Sequence, residues 1–237
     1  MKIILSIIFI CFFYISSAQI NLLKVASTKA NSLLMSSSLD KEEVAKGLKE
    51  ALVVGAEKAI QNASSNGGFL NNKAIRIPFP AEAEEMRNTL QNAGMKSQII
   101  AFEKSINSAA ELAAKEVFII FVDAVKNMNI KDAFTILKGK DNAATTYLRK
   151  QTNAQLYSNI KPIISNTIQQ VQVTKYWNPL VKYYNTIPFT KAIDPDLEDY
   201  VTDKTIEGIF VLIANQEKKI RHNPEARVST LLQKVFK

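Results

Sequence analysis

The segment SQIIAFEKSINSAAELAAKEVFIIFVDAVKNM, residues 97–128, has the clearest periodicity in the chain. Ile99, Phe102, Ile106, Ala110, Ala113, Val117, Phe121 and Ala124 recur at helical spacing and form one stripe. From Val117 onward Phe118, Ile119, Val122 and Val125 make a second face apolar too, and a helix apolar all round is a buried one. The segment is therefore expected to be the long central helix of an all-α bundle.

Upstream, Asp40 and Glu43 have the spacing of a capping box, each able to satisfy an orphan N–H at a helix start. The helix they open runs to about Ala63, with Val44, Leu48, Ala51, Leu52 and Ala59 inward. Gly47 and Gly55 interrupt it. Glycine inside a helix costs about 1 kcal/mol relative to alanine, so close approach of another helix is expected there. Ser64 to Asn72 reads as a loop centred on Asn66-Gly67-Gly68. Ala74 to Pro80 alternates and carries two prolines, so it is the one extended piece. Pro80 is placed to begin a helix that ends near Gly94.

Downstream, a short helix from Lys131 to Lys138 stops at Gly139, and Asp141 caps a helix to about Ser158. Pro162 starts another that ends before Trp177-Asn178-Pro179. Asp194-Pro195 opens helices through Ile220, and Asn223-Pro224 a last one with Val228, Leu231, Leu232 and Val235 inward. No repeat and no interdomain linker follow Asp40. The chain reads as a single-domain multi-helix bundle over residues 40–237, preceded by a linker or frayed segment, 19–39.

A length of 237 residues with 47% hydrophobic and 22% charged side chains suffices for a core and excludes collagen-like, low-complexity and disordered classes. Lys2, the apolar run Ile3–Ile15 and Ser16-Ser17-Ala18 form a secretory signal peptide with cleavage after Ala18. The run is short of the roughly 20 residues a spanning helix needs. Cys11 lies inside it, without the small residues that lipoprotein processing requires, so the product is expected to be periplasmic and not a lipoprotein. The mature chain then has no cysteine, which excludes disulfides, thiolate metal sites and a cysteine nucleophile. The net charge of +8 is interleaved with acids, as in Lys41-Glu42-Glu43, and reads mostly as solvated helix faces. It implies a weak attraction to anionic membrane surfaces, strongest after Lys218. Nucleic acid is not an expected partner of an exported chain.

An ordered set of short motifs adds to this. Gly47-Leu48-Lys49-Glu50-Ala51-Leu52, Gly68-Phe69-Leu70, Arg76-Ile77-Pro78-Phe79-Pro80 and Asn107-Ser108-Ala109-Ala110-Glu111 come first. Ile136-Leu137-Lys138-Gly139, Ala144-Thr145-Thr146-Tyr147-Leu148-Arg149, Tyr200-Val201-Thr202 and Ile220-Arg221-His222-Asn223-Pro224 follow. In that order they resemble the exported bacterial proteins grouped as domain of unknown function 4197 (DUF4197), from about Asp40 to Phe236. The resemblance implies a helix-rich periplasmic protein and carries over no catalytic residue. Ser108, where the family often has arginine, and Asn215-Gln216, where acids are usual, depart from its pattern.

The candidate polar site consists of Asn107, Glu111, Thr145, Tyr147 and Arg149. If Arg149 faced Glu111, a buried carboxylate–guanidinium pair would result, suited to an anion or to general acid–base work. The structural alternatives are a Glu111–Lys115 surface pair or an ion pair that fixes helix register. His222, the one histidine, reads as a cap on the C-terminal carbonyls of its helix. Asp194, Asp196, Glu198 and Asp199 form an acidic helix start, and no metal or cofactor is expected. Phe102, Phe118, Phe121 and Trp177 are candidates to line an apolar pocket, with core packing as the alternative. Tyr176, Tyr183 and Tyr184 around Pro179 form either an exposed rim or a cover for one end of the bundle.

The leading expectation is a non-enzymatic protein that binds an apolar or amphiphilic ligand or an envelope partner. The alternatives are an enzyme using Glu111 and Arg149, and a purely structural envelope protein. Geometry separates them: an enzyme needs those side chains converging in an open cleft, an apolar binder a continuous cavity, and a docking protein an exposed apolar patch.

Overall fold

The computed structural model describes residues 39–131, 133–193 and 195–237. The expected signal peptide with Cys11, the expected linker apart from Leu39, Asp132 and Asp194 lie outside the described residues. The chain divides into a unit spanning Met1–Glu43, described only from residue 39, and a compact unit spanning Val44–Lys237. Among the described residues there are eight α-helices: α1 (Lys41–Ala63), α2 (Glu84–Asn92), α3 (Lys96–Asn127), α4 (Ala133–Leu137), α5 (Ala143–Gln170), α6 (Val173–Tyr184), α7 (Leu197–His222) and α8 (Thr230–Val235). The fold is all-α. Single 3₁₀ turns, Ala81–Ala83 and Pro224–Ala226, precede α2 and α8.

Helix α3 is the hub, packed against α2, α5, α6 and α7. All eight residues of its predicted stripe are buried. The second apolar face is only partly covered: Val125 is buried and Phe118 and Val122 half-buried, but Ile119 is 68% exposed. The Asp40 half of the predicted capping box forms at α1, where the Glu43 amide donates to Asp40 Oδ1 at 2.6 Å.

Two prolines sit where the sequence reading placed helix ends. Pro162 lies inside α5 and Pro179 inside α6, both exposed. A proline on the solvent side leaves the carbonyl four residues back to water, so the helix continues. The actual break between α5 and α6 is Gln172, left-handed at φ 55°. The N-cap of α7 is Asp196, whose carboxylate accepts from the Asp199 amide at 2.9 Å. Helix α8 is capped by Ser229, and Val228, expected inside, precedes it and is 60% exposed.

The mid-helix glycines mark close approaches. A Cβ on Gly47 would lie 2.6 Å from Val235 Cγ2 of α8, and one on Gly55 would lie 3.5 Å from Gln216 Cβ of α7. Gly47→Ala is therefore expected to lose about 1–2 kcal/mol of stability, overpacking outweighing the gain in helix propensity. In a Val235→Ala background the same change is expected to be neutral or stabilising. Equal losses in both backgrounds, by urea denaturation, would contradict this contact.

Candidate functional site

Three polar side chains on successive turns of α3 read out the loop and extended segment between α1 and α2. Glu103 pairs with Arg76 at 2.6 Å and lies 3.7 Å from Arg87. Asn107, fully buried, accepts from the Ile77 amide at 2.9 Å and donates to the Ile77 carbonyl at 2.8 Å. Its side-chain amide thus replaces a partner strand for the extended piece. Glu111 accepts from the amides of Phe69 (3.1 Å), Leu70 (3.2 Å) and Gly67 (3.2 Å). The turn needs both glycines. Gly67 has φ 76°, and a Cβ on Gly68 would lie 2.3 Å from the Asn62 carbonyl oxygen. On the other side Gly208 of α7 leaves room for Phe69 and Ile75, its Cβ position being 2.9 Å from the Phe69 ring.

Arg149 does not join them. Its guanidinium lies 5.6 Å from the centroid of Phe210, and no hydrogen bond or ion pair links it to Glu111. Glu111 is held by backbone amides instead, an arrangement neither the pairing with Arg149 nor the one with Lys115 anticipates. Thr145 belongs to a second buried network. Glu217 of α7 accepts from the amides of Ala144 (3.0 Å) and Thr145 (2.8 Å) and from the Thr145 hydroxyl (2.6 Å). Arg221 binds Glu217 at 2.7 Å and donates to the carbonyls of Leu137 (2.6 Å) and Ile136 (3.1 Å). One ion pair thus places its anion at the start of α5 and its cation at the end of α4, each opposite the favourable pole of a helix dipole.

This network corrects two expectations. Asp141 does not cap α5, because Glu217 supplies that acceptor. Asp141 meets His222 Nε2 at 2.6 Å and Lys218 at 3.6 Å, and the His222 contact lowers its pKa. His222 does not cap α7 either: Arg227 donates to the carbonyls of Ile220 (3.0 Å) and Arg221 (2.9 Å). Tyr147 donates to the Asn129 carbonyl at 2.5 Å and borders a hollow of about 420 Å³.

Arg149 borders an open cleft of about 1000 Å³ between α5, α7 and the 3₁₀ turn before α2. Glu82, Asp196, Asp199, Asp203 and Glu207 line it, with Arg149 and Lys204 as its cations. Asp199 is held below the usual carboxylate range by Lys161 and Tyr157, which both bond it. That bond raises the Tyr157 phenol to about 12; burial, with Glu82 nearby, raises Tyr200 to about 12. Tyr200 also donates to the Pro78 carbonyl at 3.0 Å. Both phenols are raised above the unfolded value of about 10, so their contribution to stability is complete below that pH. It is lost as pH rises toward 12. In an ultraviolet titration of the chain's 7 tyrosines, these two are expected still to be protonated at about pH 11. Tyr157→Phe is expected to remove one late ionisation; an unchanged titration would discount the Asp199 bond.

Of the aromatic candidates, Phe102 and Trp177 close on each other. Phe102 and Trp177 have ring centroids 4.8 Å apart, with Phe79 at 5.2 and 5.5 Å from them, and Phe121 packs on Phe210 at 5.4 Å. Tyr184 and Trp177 are buried, whereas Tyr176 and Tyr183 face outward. Among the described residues no group of three or more His, Cys, Asp or Glu is placed to hold a metal ion. No helix of those residues is long and apolar enough to cross a membrane.

Glu217 escaped the sequence reading although it carried a signal. It continues the apolar stripe of Ile209, Ile213 and Ile220 and has Arg221 one turn on. A charge on an inward stripe, with its partner at that spacing, marks a buried pair. No curated protein and no solved structure matches the chain. A family model described as "Protein of unknown function (DUF4197)" matches residues 38–237. Its span takes in both buried networks and the segments they tie together, and the chain belongs to the DUF4197 family.

Proposed function

We propose that the protein is an exported, non-enzymatic binding protein whose ligand, small, polar and carrying an amine, occupies the cleft between α5 and α7. The observation that carries this reading is a reversal of charge. A chain of net charge +8 lines its cleft with five carboxylates and two cations. A hollow with an excess of one sign of charge, here carboxylates over cations, draws in ligands of the opposite sign. The volume falls at the upper end of the range for small-molecule sites, about 300–1,000 Å³. Arg149 pairs with no acid among the described residues and offers a place for a carboxylate, so a zwitterion such as an amino acid or short peptide fits best. Glu111 and Glu217 are engaged by backbone amides, which argues against their use as proton-transfer groups. An apolar ligand fits less well, because Phe102, Trp177 and Phe121, expected to line its pocket, are buried in ring contacts within the core. Export rests on the signal peptide read from the sequence.

The test is native mass spectrometry of protein recovered under mild conditions, with released molecules identified, followed by calorimetry. A reproducible adduct bearing an amine is expected, lost in Glu82→Gln/Asp203→Asn while the melting temperature of the unliganded protein holds. A bare protein that also binds no amine or dipeptide by calorimetry would sink the reading.

A further inference from the structure

We infer that the outer face of α6 and the turn after it dock on an anionic lipid surface. Helix α6 buries Val173, Trp177, Leu180 and Tyr184 along one side. On the other side Tyr176 and Tyr183, two turns apart, form a stripe that is 37% and 42% exposed. Lys175 and Lys182, also two turns apart, form the exposed stripe beside it.

The turn that follows holds a third aromatic in solvent. The Thr186 amide and hydroxyl both donate to the Tyr183 carbonyl, at 3.0 and 2.7 Å, and the Thr190 hydroxyl donates to the Ile187 carbonyl at 3.0 Å. Within that braced turn Phe189 has φ 68° and full exposure, 105%. A non-glycine residue in the left-handed region is strained by about 1–3 kcal/mol and persists only where its surroundings impose it. Here they impose an apolar ring standing in water.

Charge identifies the partner. From Asn142 to Ile193 the sequence contains no Asp or Glu, against the interleaving seen elsewhere, and Lys175, Lys182 and Lys191 all fall in the part that forms this face. A second copy of the chain is a poor occupant, because a two-fold contact would bring lysine stripes together while residues 142–193 supply no acid to pair them. Protruding rings flanked by lysines suit a soft apolar phase under an anionic layer: rings enter the headgroup boundary and ammonium groups meet phosphates. With no spanning helix among the described residues, the contact is peripheral. The earlier expectation put the membrane attraction after Lys218; the exposed rings put it at α6.

The experiment is co-sedimentation of the full chain, as cells deliver it, with vesicles of phosphatidylcholine alone or with one third phosphatidylglycerol. Wild type and variants share one N-terminus, so differences between them report the α6 face. Binding is expected only to the anionic vesicles and to weaken with salt. Each lysine near such a surface is worth about fivefold, so Lys175→Gln/Lys182→Gln/Lys191→Gln is expected to bind roughly 100-fold more weakly. Tyr176→Ser/Tyr183→Ser/Phe189→Ser is expected to lose binding, whereas Ile100→Ser/Ile119→Ser, altering exposed apolar residues of α3, is expected to bind as wild type. Circular dichroism confirms that each variant is folded. The inference is overturned if wild type ignores anionic vesicles or if both α6 variants bind as well as wild type. It is equally overturned if Phe189→Ser dissociates a dimer of the wild-type protein, which would assign the face to a second copy.

Discussion

Glu217→Leu is expected to destabilise the protein by about 3–5 kcal/mol, the range for removing one partner of a buried ion pair. The side chain is 1% exposed, and its loss strands the two amides at the start of α5, the Thr145 hydroxyl and the half of Arg221 that it binds. For a domain of this size that is a fall in melting temperature on the order of 10 °C. Arg221→Leu is expected to cost less, because the carbonyls of Ile136 and Leu137 are part-buried acceptors. The double variant is expected to be more stable than the sum of the singles predicts, by at least about 1 kcal/mol. Additive singles, or a Glu217→Leu loss under about 1 kcal/mol, would show that the pair does not bridge α4 and α5 as described.

The second large effect is expected at Asn107→Leu, a substitution of similar volume that leaves both the N–H and the C=O of Ile77 unpaired inside the protein. Stranded buried groups cost about 1–3 kcal/mol each, so a loss of about 2–6 kcal/mol is expected. Asn107→Asp keeps the acceptor for the Ile77 amide but sets a buried carboxylate against the Ile77 and Glu103 carbonyl oxygens, and is expected to lose at least as much as leucine. Hydrogen exchange locates the effect. The Ile77 amide is expected to lose protection in Asn107→Leu, while amides in the middle of α5 keep theirs until global unfolding. Uniform loss across the protein would mean that the extended segment is held by something other than this side chain.

Part of the polar interior was legible in outline, whereas of the candidate polar-site residues only Arg149 borders the cleft. The sequence reading brought together Asn107 and Glu111 as buried polar residues of one helix face, and both are buried there. It paired Glu111 with Arg149 because periodicity reveals which side chains point inward, not which loop lies against them. The acceptor demand of the Gly67–Leu70 turn is a property of backbone geometry, and no side-chain pattern announces it. The Asp141 expectation failed for a related reason: local capping rules assume that a helix end is served by its own neighbours, whereas Glu217, distant in sequence, reaches the start of α5 first. His222 gave way to a nearer competitor, Arg227, which serves the last carbonyls of α7.

By itself the sequence determined the helical class, the stripe that makes α3 central, the glycines where helices touch, and the family segments. These follow from spacing at 3.6 residues and from the conformational demands of single residues, which are local. Only the tertiary structure decided that the prolines at 162 and 179 lie within helices, since exposure of the carbonyl behind each depends on what packs nearby. It likewise decided which amides the buried carboxylates serve, that Arg149 faces a cleft, and that Tyr176, Tyr183 and Phe189 stand outside the core. Each of these depends on residues far apart in the chain meeting at one place, and pairings of that kind leave no period in the sequence.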